Sequence, residues 1–205
     1  MPPPAEEIAD KLRHGQPVDD ASFDAFYSAD VRQASARTWT PVVAELRVAE
    51  LLAEAAATKV LDVGCGPGKF CIAGALSTQL TYVGVECRAF LLDEARSLAA
   101  RLQVGERARF IAADAFALDW SEFDAFYFFN PFIAYDVDGE SGNNRPFAGP
   151  AARVPASLTA SRLHAAASGT RVVTYHGFGG RMPPSYRLAR VERYANDTLQ
   201  LWIRT

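Results

Sequence analysis

The chain has 205 residues, 49% hydrophobic and 22% charged, with a formal net charge of −3. That length suits one domain with a substantial core, and the acidic balance speaks against nucleic acid as the partner, which usually demands a basic excess. Three cysteines (Cys65, Cys71, Cys87) without a C-x-x-C pair speak against a disulfide framework and a cysteine metal site, so no metal is expected and a reducing, cytoplasmic compartment fits.

The N-terminus leads from prolines into Glu6, Glu7 and Asp10. It lacks the basic start and apolar run of a secretory signal, and no stretch approaches a membrane span. Residues 5–13 and 21–34 have loose helical spacing, with Phe23, Phe26 and Tyr27 as anchors. A helix is expected from Pro41 to about Ala57, capped by Thr40, with Val43, Leu46, Ala49, Leu51 and Leu52 on its apolar side. Residues 1–57 thus read as a helical cover, and 58–205 as the core of one domain.

From Lys59 the pattern alternates. Strands are expected at 59–63, 81–86, 109–112, 123–129 and 171–176, with helices at 68–77, 89–102 and 155–167. Phe90, Leu91, Ala95, Leu98 and Leu102 give the 89–102 helix one apolar face. Segments 187–194 and 199–204, joined through Asn196 and Asp197, read as a hairpin. This is the pattern of a three-layer Rossmann-like α/β sandwich: a seven-stranded, mostly parallel sheet whose last strand is antiparallel. Residues 177–185 (GFGGRMPPS) are too rich in glycine and proline for a crossover helix. The chain is expected to return there in extended form.

The segment 60–70 (VLDVGCGPGKF) is a strand, a glycine loop and a helix start. Gly64, Gly66 and Gly68 permit a sharp turn and close ligand approach. A dinucleotide fingerprint would place its third glycine at Lys69, which is too bulky for that contact. Asp62, just before the loop, suits a ligand with an ammonium group and would repel a pyrophosphate. Glu86 ends the second strand, where an acceptor-only carboxylate suits two ribose hydroxyls. Asp114, Ala115 and Phe116 follow the third strand and suit an adenine amino group and ring. Cys65 and Cys87 read as small fillers beside the loop and the adenosine.

Residues 59–130 resemble the core of class I S-adenosylmethionine-dependent methyltransferases. The glycine motif (Leu61–Phe70), the acidic ribose motif (Val83–Glu86), the adenine motif (Asp114–Phe116) and a fourth-strand motif (Asn130, Pro131, Phe132) occur in the family's order. The resemblance implies S-adenosylmethionine as cofactor, with Asp62, Gly64, Cys65, Gly66, Gly68, Glu86, Cys87, Asp114, Ala115, Phe116 and Asn130 around it. Trp39 and Thr40 are expected at its methionine end. Asn130, Pro131 and Phe132 are similar in part to the fourth-strand motif of amino-group N-methyltransferases and of non-SET lysine methyltransferases. That implies nitrogen of a protein side chain or small amine as acceptor. His176, at the end of the fifth strand, is the histidine at the ligand face, read first as a satisfied structural histidine and otherwise as a base. Tyr135, Arg145, Phe147, Phe178 and Arg181 lie in loops that would meet the substrate.

Each residue also has a structural reading. Asp62 would cap a turn, Asp114 a short helix, and Asn130 would be a turn residue before proline. A regulatory protein that binds the cofactor without turnover and a dinucleotide-dependent oxidoreductase are the alternatives.

Overall fold

A computed structural model describes residues 4–33, 39–55, 57–132, 150–194 and 197–205. Among the described residues four helices come first: α1 (Ala5–Arg13), α2 (Asp20–Asp24), α3 (Ala29–Arg32) and α4 (Val42–Ala53). They lead into β1 (Lys59–Val63), α5 (Lys69–Ser77), β2 (Thr81–Glu86), α6 (Ala89–Arg101), β3 (Ala108–Ala112) and β4 (Ala125–Phe128). After α7 (Pro150–Ala165) come β5 (Arg171–Tyr175), β6 (Tyr186–Tyr194) and β7 (Asp197–Arg204).

The strands form one sheet in the order β3-β2-β1-β4-β5-β7-β6. Neighbours are parallel from β3 through β5, and β7 runs antiparallel to both β5 and β6. The seven-stranded, mostly parallel sheet with an antiparallel last strand is therefore as expected. Strand order reverses between β1 and β4, which opens a crevice at their carboxyl ends where such sheets bind ligands.

The side chains of β1 and β4 split between two cores because neighbouring residues point to opposite faces. Val60, Ala125 and Tyr127 join the helices α1, α4, α5 and α6 on one face. Leu61, Val63, Phe126 and Phe128 meet Trp120, Leu163 and Phe178 on the other. That second face is thinly covered. Between β3 and β4 only two short 3-10 turns (115–117 and 120–122) stand where a helix would lie, so Arg109 and Ile111 are exposed.

Several expectations need correction. The 21–34 region is two short helices, because the Asp19 carboxylate accepts from Ser22 N–H and caps only α2. Thr40 does not cap α4. Its hydroxyl is 2.6 Å from the Tyr127 hydroxyl, and both are buried, so it ties the cover to β4 instead. Val43 and Phe90 face solvent. The buried stripes run through Val42, Val48, Leu51 and Leu52 on α4, and through Leu91, Leu92, Ala95 and Leu98 on α6. α7 begins five residues earlier than expected, at Pro150. Tyr135, Arg145, Phe147 and Asn196 lie outside the described residues.

The extended return holds. Residues 176–185 contain no helix and carry the chain from the carboxyl end of β5 back to the start of β6. Ten residues reach roughly 33 Å when extended, twice the roughly 17 Å of a five-residue strand. Phe178 replaces the missing helix as a plug. It is buried, with its ring 5.5 Å from that of Phe128. Phe178→Ala should cost about 3 kcal/mol in urea unfolding. A loss below about 1 kcal/mol would show that the crossing is held by something else.

Candidate functional site

Gly64, Gly66 and Gly68 all have left-handed backbones, with φ of 74°, 55° and 78°. Gly64 and Cys65 donate to the Val85 carbonyl at 2.9 and 3.1 Å, so the loop is hung from the end of β2. A side chain on Gly68 would run into the ring of Phe110. This is the close approach that the sequence reading asked of a third glycine, supplied one position earlier. A Cβ on Gly64 would lie 2.9 Å from Cβ of Pro131. The fourth-strand motif therefore sits directly on the glycine loop. At Gly66 a Cβ would meet nothing within 4 Å, which leaves the loop open to a ligand.

The three carboxylates singled out from the sequence are in different states. Asp62 is buried, with the Cys71 thiol donating to it at 3.5 Å. Burial pushes it up to about 7, against the pull of that thiol and with a further push from Glu86. Glu86 is also buried, and burial raises it too. Arg88 more than reverses this, through its guanidinium and its backbone N–H, and holds the carboxyl below its usual range. Gly66 N–H also reaches Glu86, at 3.2 Å, which links the ribose motif to the loop. Asp114 is exposed and accepts from Phe116 N–H at 2.9 Å, so it does cap a short turn.

The remaining motif residues fall into place around these. Cys65 is a buried filler that fits against Gly84, while Cys87 is exposed and donates to Glu86. Ala115 is buried and Phe116 half-buried. The ring of Phe116 is stacked between Trp120 at 6.0 Å and Phe132 at 5.5 Å, so the adenine and fourth-strand motifs touch. Asn130 has a left-handed backbone (φ 45°) and donates its N–H to the Gly177 carbonyl at 2.9 Å. His176, at the end of the next strand, is left-handed too (φ 64°), and its Nδ1 lies 2.5 Å from the Asp197 carboxylate. Two strained non-glycine residues on adjacent strand ends are the kind of outlier found at functional sites.

Sequence reasoning missed the buried charge beneath the loop. Lys69, read only as an absent glycine, is buried and pairs with Asp20 at 2.6 Å and Asp24 at 2.8 Å. Burial alone would lower its pKa, but Glu45, Asp20 and Asp24 raise it. Glu45 is buried as well, and burial drives its carboxyl well above the usual range despite the nearby Lys69. Trp39 packs its ring 4.9 Å from Tyr27 and 5.7 Å from Lys69 Nζ, so the cover closes against the first residue of α5. The one available signal was a lysine at a helix start, with Asp19, Asp20 and Asp24 gathered far upstream.

Residues 54–140, somewhat under half of the chain, match the model of a methyltransferase domain family. That stretch of the chain is similar to a methyltransferase domain. Such a domain implies S-adenosylmethionine as cofactor. No curated protein sequence matches the chain. Among solved structures the domain is similar to an RNA methyltransferase from Salinibacter ruber in complex with S-adenosyl-L-homocysteine. The identity is 21% and the TM-score 0.57, over 80% of this chain and 89% of that one. It is also similar to TrmN from Thermus thermophilus (17% identity, TM-score 0.61, 85% of this chain and 52% of that one). A third likeness is an O-methyltransferase family protein from Burkholderia thailandensis (15%, 0.58, 91% and 60%). At these identities the likeness speaks for the fold alone.

The residues present fit this cofactor. The loop at Gly66 leaves room for a ligand, Glu86 would accept from hydroxyls, and buried Asp62 would gain from a nearby cation. Asp62 titrates near 7 in the fold and at roughly 3.9 when unfolded. The folded chain therefore binds the extra proton, and stability is full below about pH 4 and falls as pH rises through 7. Asp62→Asn removes that loss. Without cofactor the variant should be more stable than the parent by about 2 kcal/mol at pH 8 in urea unfolding, with no gain at pH 4. A variant no more stable at pH 8 would show that the buried carboxylate carries no strain.

Proposed function

We propose that this protein transfers a methyl group from S-adenosylmethionine to a nitrogen of a protein side chain or small amine. The contact between Pro131 and Gly64 carries this reading, because it sets Asn130 beside the glycine loop at the switch point of the sheet. When bound, the cofactor supplies a sulfonium methyl already activated for in-line displacement. The chain's own task is then alignment and exclusion of water.

In this reading the Asn130 side-chain carbonyl accepts a hydrogen bond from the acceptor N–H and aims the nitrogen lone pair. Its left-handed backbone, pinned to Gly177, fixes where the side chain leaves the main chain. Asparagine orients a neutral amine but does not deprotonate it. His176, beside Asp197, would be the acceptor for the amine proton. Asp62 would hold the ammonium group, Glu86 the ribose, and Asp114 with Ala115 and Phe116 the adenine. Gly64, Cys65, Gly66, Gly68 and Cys87 form the walls. Trp39 and Thr40 close the methionine end as part of a cover, residues 1–57, on a core of 58–205. Pro131 packs on Gly64 and Phe132 on Phe116, and the two would set the segment that carries Asn130. A cytoplasmic location is part of the same reading and rests on three unpaired cysteines. Among the described residues no helix is long and apolar enough to cross a membrane.

Methyl transfer from labelled cofactor into cell extract tests the acceptor class. Base-stable label in protein or amine fractions is expected, and Asn130→Gly should reduce it by about tenfold or more. Glycine keeps the left-handed backbone, so S-adenosylhomocysteine affinity should stay within about threefold. Two structural neighbours are an RNA methyltransferase and an O-methyltransferase family protein, so the fractions include RNA and ester-linked products. Ribonuclease-sensitive or oxygen-linked label, or transfer unaffected by Asn130→Gly, would overturn the reading.

A further inference from the structure

Glu86 holds more donors than a carboxylate waiting for two ribose hydroxyls has room for. Oε1 accepts from the Arg88 backbone N–H at 3.0 Å, from Arg88 Nε at 3.0 Å and from the Cys87 thiol at 3.3 Å. Oε2 accepts from an Arg88 terminal nitrogen at 2.9 Å and from Gly66 N–H at 3.2 Å. A carboxylate offers about four lone-pair sites, so these five contacts saturate it. Two of them come from one guanidinium fork, the geometry that binds a carboxylate best.

The exposure of the pair shows which contact gives way. The Glu86 side chain is 4% exposed and that of Arg88 51%. Arg88 therefore covers the carboxylate from the solvent side, the side from which a ligand arrives. The other donors are backbone or a neighbouring thiol. Arg88 also precedes α6, so its backbone N–H stays on Oε1 while the long side chain swings into water.

We propose that Arg88 is an internal competitor for the ribose site. Its guanidinium occupies Glu86 in the free protein and is displaced by the two hydroxyls when the nucleoside binds. The proposal rests on the reading of Glu86 as ribose acceptor. The arrangement has two opposed effects. In the free protein the guanidinium compensates a buried anion that would otherwise stand alone. On binding, the same contact must be broken, which weakens the measured affinity. Arg88 thereby sets the cofactor affinity without touching the cofactor.

The test is calorimetric titration of the full chain with S-adenosylhomocysteine, using Arg88→Gln and Arg88→Met, together with thermal unfolding without ligand. Both variants should unfold at lower temperature than the parent and yet bind about 3- to 10-fold more tightly. That pairing of signs separates a competitor from a structural support, which would lose affinity along with stability. The gain should shrink for the 2′-deoxy analogue of S-adenosylhomocysteine, which lacks one of the competing hydroxyls. Unchanged or weaker binding in whichever variant folds would overturn the proposal. Glu86→Gln separates it from the underlying reading. Unaltered affinity in that variant would reject Glu86 as ribose acceptor. A large loss there, with no gain in the Arg88 variants, would reject the competitor alone.

Discussion

Pro131 occupies the place that a side chain on Gly64 would fill, and that one close approach joins the two halves of the candidate site. Gly64 belongs to the loop after β1, and Pro131 follows β4 on the other side of the switch point. Without the contact the loop and Asn130 would be independent features of neighbouring strands. With it, the position of Asn130 relative to the loop is fixed by van der Waals packing between backbone-bound atoms, which is harder to deform than a side-chain contact. The Asn130 N–H on Gly177 extends the same frame to β5, and the His176–Asp197 pair extends it to β7.

A second constraint is electrostatic. The face of the sheet below the loop buries Asp62, Glu45 and Asp24 with Lys69 as the cation among them. Burying charge is costly unless it is paired, and a buried pair adds little net stability while its loss is severe. Lys69 starts α5 directly behind Gly68, and its partners Asp20 and Asp24 lie on α2. The helical cover is thus fastened to the glycine loop itself. The raised pKa of Asp62 fits a pocket that holds its acidic charge in reserve for a cationic ligand, at some expense in stability of the free protein.

Much of this was legible in the sequence because it follows from local chemistry. Alternation of β-branched runs with amphipathic segments disclosed the sheet and its order of elements. The glycine spacing and Lys69 distinguished this loop from a dinucleotide fingerprint. The helix-poor crossing at 177–185 was readable from its glycines and prolines. What stayed hidden depends on contacts between distant segments. Thr40 looked like a cap because threonine before proline at a helix start usually is one, yet Tyr127, far along the chain, claims its hydroxyl. Val43 and Phe90 fit a helical stripe by spacing, but which side of a helix is buried depends on the neighbour it meets. Arg88 and Asp197 carry no motif, and their roles emerge only beside Glu86 and His176. Asp114 had two readings from the outset, and its cap on Phe116 N–H is the local one.

The central claim is that the loop and its carboxylates are built for a sulfonium nucleoside rather than a dinucleotide. Calorimetric titration of the unmodified protein with S-adenosylhomocysteine and, separately, with NADH tests it most directly. The account predicts saturable one-to-one binding of S-adenosylhomocysteine and none of NADH. Tight binding of NADH with no response to S-adenosylhomocysteine would contradict it.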